Sequence, residues 1–184
     1  GQVRHIFQTV TLIPGTQLRV ASLVDITART RAEESLLQLT SIIESTNDLV
    51  ATADNNFSIL YMNRAGRQML GWNESVVLQE KAIDDVHPAW ALEIIRSRGV
   101  PAALREGVWS GETAIIGAGG REIPVSHVIM AHRSASGELG YFSSIIRDIS
   151  EIKNVERALR ESEERYRSVI EMASDAIITI DGSG

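Results

Sequence analysis

The sequence contains no cysteine. That absence excludes disulfides, thiolate-ligated metals and sulfur nucleophiles, and it fits a reducing, cytoplasmic compartment. No apolar run approaches the roughly 18 residues that a membrane span needs, and no secretory signal pattern opens the chain. Cations are also in short supply: 18 Lys and Arg stand against 24 Asp and Glu, for a net charge of -6. Phosphate binding draws on clustered Lys and Arg, so nucleic acid is not an expected partner. What is present is a 184-residue chain, 43% hydrophobic and 23% charged. It can bury a core, and disorder is excluded as its general state.

The strongest internal signal is a repeat. Residues 25–54, DITARTRAEESLLQLTSIIESTNDLVATAD, return in altered form as 148–181, DISEIKNVERALRESEERYRSVIEMASDAIITID. Both copies open on Asp-Ile-hydroxyl: Asp25, Ile26 and Thr27, then Asp148, Ile149 and Ser150. Both continue as a charged, helix-favouring run and reach an apolar stretch closed by Asp. The opening aspartates stand 123 apart and the closing ones 127 apart, so the second copy is about one helical turn longer. The repeat is expected to be a connector between two like domains, which makes the chain a slice of an array.

Along the chain, residues 3–24 read as two strands around the Pro14-Gly15 turn. From Thr27 to Asn47 the period becomes helical, with Ala32, Leu36, Leu39 and Ile43 forming a heptad seam. Strand patterns then cover 49–53 and 57–62, and a short helix follows to a Gly71 cap. Residues 73–107 read as helical pieces broken at His87-Pro88 and at Gly99 with Pro101. Three longer strands cover 111–116, 122–132 and 139–147. After Ser150 a second helix carries Ile152, Val155, Leu159, Ser162, Tyr166 and Val169 at three-four spacing. The expected class is α+β: a five-stranded antiparallel sheet, small helices over one face and helical linkers at either side.

Several short motifs stand in one order: Met62-Asn63-Arg64-Ala65, Met69-Leu70-Gly71-Trp72, His87-Pro88, Trp109-Ser110-Gly111-Glu112, Gly120-Arg121-Glu122-Ile123-Pro124-Val125, and Arg147-Asp148-Ile149-Ser150. In that order and spacing they resemble a PAS domain array over nearly the whole chain. The resemblance implies the last strands of a preceding PAS domain at 1–26, a helical linker at 27–47, a complete PAS domain at 48–150, a linker at 151–174 and the first strand of a following domain at 175–184. It further implies a cavity between sheet and helices, sensing of a small ligand or cofactor state, and helical linkers that form a homodimer. Those linkers would pass the signal to neighbouring PAS and output domains.

By the same resemblance, aligned without gaps to flavin-binding relatives from Gly120 through Gly137, His127 lies on the pocket wall with Val125 and Ile129. Ser144 and Ile146 of the next strand join them as candidates, and Trp90 and Trp109 are candidates to stack on a planar ligand. Periodicity alone leaves the face of His127 open, because Val128 and Met130 on the other face are apolar too. Heme is disfavoured, since the helix position near Arg96-Ser97-Arg98 where heme-binding relatives carry a histidine has none. A covalent flavin needs a cysteine, and the corresponding stretch near Glu80-Lys81-Ala82 has none. The cofactor is left open. His87-Pro88 reads as a helix start, with a heme ligand as the alternative reading of His87. Gly117, Gly119 and Gly120 lie between strands and read as a turn, not a phosphate loop. The candidates for signal relay are Asp148, Ile149 and Ser150, with Asp25, Ile26 and Thr27 as their counterparts. No nucleophile with a base and an orienting group can be assembled, so the chain is expected to be non-catalytic. Two rival readings are a ligand-free PAS spacer, and a portion of a sensor histidine kinase or diguanylate cyclase whose catalytic domain lies elsewhere.

Overall fold

The computed structural model describes residues 3–15 and 17–181, with side chains described through residue 168. The chain divides into two compact units, Gly1–Thr46 and Asn47–Gly184.

In the first unit, strands β1 (Ile6–Leu12) and β2 (Arg19–Asp25) pair antiparallel, from Ile6 opposite Asp25 to Leu12 opposite Arg19. Helix α1 (Thr27–Ser45) follows and has no buried residue. Phe7 and Leu23 are 58% and 67% exposed, so the hairpin's apolar side chains have no core of their own. A hairpin without a covered face is marginal in water.

The second unit holds the five-stranded antiparallel sheet. Its strands are β3 (Leu49–Ala53), β4 (Ile59–Met62), β5 (Val108–Ile116), β6 (Glu122–Arg133) and β7 (Leu139–Asp148), in the spatial order β4-β3-β7-β6-β5. The first and last strands of the unit are therefore hydrogen-bonded neighbours, Ala51 opposite Ser144. Between β4 and β5 come α2 (Arg64–Leu70), 3₁₀ turns at Leu78–Glu80 and Ile83–Asp85, α3 (Ala89–Ile94) and α4 (Val100–Glu106). Helix α5 (Ser150–Asp181) closes the unit. One core cluster joins Leu49, Met62, Ile115, Val125 and Ile146 of the sheet to Leu70, Leu78 and Val86. A second joins Ile95 and Ala103 to Ile129 and Phe142.

Asn63 locks the corner between β4 and α2. It is fully buried, its Oδ1 accepts from Val50 N and Gly66 N at 3.0 Å each, and its Nδ2 donates to Asp48 O at 2.9 Å. It is thus an N-cap and a strand clamp at once. At the other end Gly71 takes φ 71°, and a Cβ there would stand 2.9 Å from Ala118 Cβ. Both facts explain a glycine cap.

Two expectations are corrected. Gly99 and Pro101 do not break the helical stretch. Residues Ile95–Gly99 form a π turn that joins α3 to α4, and Val100 N–H bonds to Ile95 O five residues back. The widened turn takes up a proline that an α-helix interior would reject for its missing N–H and its ring clash. The second correction concerns the C-terminus: residues 175–181 are helical, continuing α5, where a strand was expected. A strand needs a neighbouring strand to satisfy its N–H and C=O groups, whereas a helix satisfies them internally. Residues 182–184 lie outside the described residues.

Candidate functional site

Strand β6 places its odd-numbered residues against the helices. Ile123, Val125, His127 and Ile129 are all 5% exposed or less, which settles the face that periodicity left open. Its neighbours give His127 two hydroxyl partners: Nδ1 lies 3.3 Å from Thr113 Oγ1 of β5, and Nε2 lies 3.2 Å from Ser144 Oγ of β7.

A second histidine meets it from the helical side. His87 follows the 3₁₀ turn Ile83–Asp85, and its Nδ1 lies 2.9 Å from the Ile83 carbonyl. A carbonyl only accepts, so Nδ1 carries the proton and a neutral ring keeps its lone pair on Nε2. That Nε2 is buried and has no hydrogen-bond partner among the described residues. The two imidazoles stack, with centroids 5.5 Å apart and planes 9° from parallel. Trp109 meets His127 edge-on at 6.1 Å. Burial holds both rings neutral. It pushes His127 down to about 3, with repulsion from a charged His87 adding to the effect. It lowers His87 as well, against the opposing pull of the Ile83 carbonyl and the Asp84 charge.

Around this stack lie two adjacent cavity lobes of about 40 Å³ each. They share Ala53, Ile83, His87 and Ser144. The first lobe adds His127, Ile129 and Phe142 from the sheet with Ile95 and Val100 from the two ends of the π turn. The second adds Leu49, Met62, Val86 and Ile146. Each lobe is large enough for water and small beside any planar cofactor. Heme and flavin do not fit the space as it stands.

Of the residues expected at the pocket, His127, Ile129, Ser144 and Ile146 line the lobes. Val125 lies in the core cluster beyond them. Trp109 packs on the second cluster. Trp90 is 47% exposed and donates through Nε1 to Glu122 Oε2 at 3.0 Å. Neither tryptophan lines a lobe. Sequence reasoning weighed His87 only as a heme ligand or a helix start, and it missed Ile83, Ile95, Val100 and Phe142 among other lining residues. Phe142 was within reach, because Phe142, Ser144 and Ile146 alternate on one face of β7. His87 sits before a helix, where no period assigns a face.

At the exit of the sheet, Asp148 Oδ1 accepts from Ser150 N at 2.7 Å, and Ile149 N donates to Pro124 O at 3.0 Å. Lys153 in the first turn of α5 pairs with Glu112 of β5 at 2.7 Å. Arg147 pairs with Asp48, just before β3, at 2.8 Å. The same junction occurs at the end of the first hairpin. Asp25 Oδ1 accepts from Thr27 N at 2.9 Å, Ile26 N donates to His5 O at 2.9 Å, and Thr30 N to Ile26 O matches Lys153 N to Ile149 O, both at 2.9 Å. The Thr27 hydrogen bonds hold the Asp25 carboxyl below its ordinary range. In register, Ile6 opposite Asp25 corresponds to Val125 opposite Asp148. The sequence repeat is thus a repeat of structure at its opening.

A five-stranded antiparallel sheet in this order, with helices over one face and a small cavity between them, is an α+β module of the PAS-like class. The PAS fold family matches residues 37–149, and the chain belongs to that family, whose domains serve in sensory signalling. Solved structures agree on the fold. The PAS domain of a protein from Colwellia psychrerythraea superposes with a TM-score of 0.59 at 18% identity, covering 64% of this chain and 98% of that one. A sensory box histidine kinase/response regulator from Burkholderia thailandensis gives 0.55 at 16%, covering 71% and 98%. The PAS domain of a LuxR-family transcriptional regulator from the same organism, solved in complex with ethanol, gives 0.51 at 14%, covering 60% and 96%. None of the curated proteins compared with the chain matches it. Among the described residues no group of three or more His, Cys, Asp or Glu side chains is placed to hold a metal, and no helix is long and apolar enough to cross a membrane.

Proposed function

We propose that the second unit is a sensor of a small ligand, and that occupancy of the two lobes is relayed through Asp148, Ile149 and Ser150 into α5. The relay would run on to an output domain outside this chain, and the module would work in the cytoplasm without catalysis of its own. The observation that carries this reading is the buried His87–His127 stack beside an apolar cavity, with one ring nitrogen left without a partner. An unpaired buried polar atom costs about 1–3 kcal/mol, so a purely structural core gains nothing by keeping it. β7 links the two places directly: Ser144 and Ile146 line the lobes, and Asp148 ends the same strand. The hydrogen-bond match between the two junctions supports a preceding PAS domain ending at β2, and hence an array.

The smallness of the lobes favours the rival reading, a ligand-free spacer. One substitution separates the two. Ala53 lines both lobes, so Ala53→Val fills part of each and mimics occupancy, at a packing cost of about 1–3 kcal/mol. In a sensor the backbone amide resonances of Ile149–Lys153 should shift along with those of the cavity wall. Shifts that fade before Asp148 would support the spacer and sink the relay.

A further inference from the structure

We propose that the ligand of this cavity is a compact neutral molecule that donates a hydrogen bond to His87 Nε2, a short-chain alcohol or a small amide in chemical class. The proposal rests on the ligand-sensing reading above and adds the identity of the recognised group.

Three observations narrow the chemistry. The first is polarity. The Ile83 carbonyl at 2.9 Å fixes the proton of His87 on Nδ1, so Nε2 offers a lone pair and calls for a donor. Ketones, ethers and other acceptor-only molecules leave that lone pair unanswered. The second is charge. The titratable side chains facing the lobes are His87 and His127, both held neutral by burial. Asp84 is engaged outside by Arg96 at 2.6 Å. A carboxylate or phosphate would meet no cation, and an ammonium would meet no anion. Burying an unpaired charge is costly in either case. The third is size and shape: two lobes of about 40 Å³ lined by Ile, Val, Phe and Ala admit a short apolar tail. Ser144 lines both lobes, and its Oγ lies 3.2 Å from His127 Nε2, so a second hydroxyl stands in the same wall within reach of a ligand's polar end.

The test compares ethanol with dimethyl ether, an isomer of equal heavy-atom count that has no donor, with acetate as the anionic control. The whole chain is labelled with ¹⁵N at histidine and ¹³C at Ile and Val methyls. Long-range ¹H–¹⁵N spectra read each ring nitrogen without any substitution. Ethanol should move His87 Nε2 toward the hydrogen-bonded position, leave Nδ1 in place, and shift the methyls of Ile95, Val100 and Ile129. Dimethyl ether should bind roughly three- to tenfold more weakly, the worth of one neutral hydrogen bond, and acetate should not enter. His87→Asn keeps an amide near the position of Nδ1 and removes Nε2, so it should abolish the preference for ethanol. His87→Gln restores a polar group near Nε2 and should recover part of it. If the ether binds as well as ethanol while Nε2 does not move, the cavity still takes a ligand and the donor class is wrong. If no probe moves any cavity methyl, ligand sensing itself fails and the proposal fails with it. If Nε2 is already hydrogen-bonded before ethanol is added and does not respond, a resident water answers the lone pair and the proposal is overturned.

Discussion

His127 shows how one residue type in one register position sets a property of the whole domain. Its neutral form is favoured in the fold by burial, which lowers its pKa to about 3, while in the unfolded chain it titrates near the ordinary value of about 6.5. Between those values the unfolded state binds more protons, so stability is fully present above about pH 6.5 and is lost as pH falls toward 3. The loss runs at about 1.4 kcal/mol per pH unit. By pH 4.5 His127 alone should remove about 2–3 kcal/mol, and His87 acts in the same direction. Gln8 occupies the matching place in the first hairpin, opposite Leu23 as His127 is opposite Ile146. His127→Gln is therefore the natural substitution, and urea unfolding at pH 7 and pH 4.5 should show a smaller acid loss than in the native sequence. An undiminished loss would place the acid sensitivity elsewhere. The face of β6 that carries His127 was half legible in the sequence. Alternation was plain, but both faces are apolar because Ile145 and Val128 face the other side of the same pair of strands. Only the helices packed on one side decide which face becomes the wall of a cavity. His87 was not legible as a cavity residue, since its position depends on a 3₁₀ turn that no hydrophobic period announces.

At the scale of elements, agreement is closest where local chemistry decides. Strand β3 and the Gly71 cap stand where the alternation and the glycine put them. Local chemistry misleads where a tertiary contact outweighs it, as at Pro101, where the π turn keeps the backbone helical. That turn is held close to the sheet. A Cβ on Gly99 would stand 3.0 Å from Ile129 Cδ1 and 3.2 Å from Trp109 Cε3, so the absence of a side chain there lets the cavity's helical wall approach. Asn63 is the element-scale residue with the clearest energetic consequence. Asn63→Ala removes a helix cap and two ties to the start of β3, and leaves Val50 N and Asp48 O to find other partners. The cap is worth about 1 kcal/mol, and each buried group left unpaired adds about 1–3 kcal/mol where water cannot reach it. Chemical denaturation should therefore show a loss of about 2–4 kcal/mol, the cap plus one group that water does not reach, with an unchanged dependence on denaturant. A loss below about 1 kcal/mol would mean that water replaces the side chain, and that the corner is not sealed.

At the scale of the whole molecule the open question is what covers the seams. Ile152, Val155, Leu159 and Tyr166 on α5 are between 55% and 68% exposed, and Leu36 and Leu39 on α1 are 64% and 58% exposed. These are the positions that the three-four spacing picked out. The spacing is visible in sequence, and the homodimer expected from it would place the partner of each seam on a second copy of the chain. Exposed apolar residues scattered singly need no explanation, whereas a seam that repeats along one helix face fits a coiled coil. In proteins most helical stability comes from packing of an apolar face and less from propensity. Lys153, tied to Glu112 at 2.7 Å, anchors the first turn of α5, but that one exposed pair contributes little to the turns that follow. If α5 is completed by a second copy of the chain, helix content must depend on concentration. Circular dichroism at 222 nm should fall as the protein is diluted through the dimer dissociation constant, while the near-ultraviolet signal of Trp109 in the sheet domain stays constant. Sedimentation at the same concentrations should pass from dimer to monomer over the same range. Leu159→Glu with Val155→Glu should give the monomer values at every concentration. Helix content that holds steady while the protein sediments as a monomer would show that α5 stands without a partner, and the homodimer would have to be abandoned.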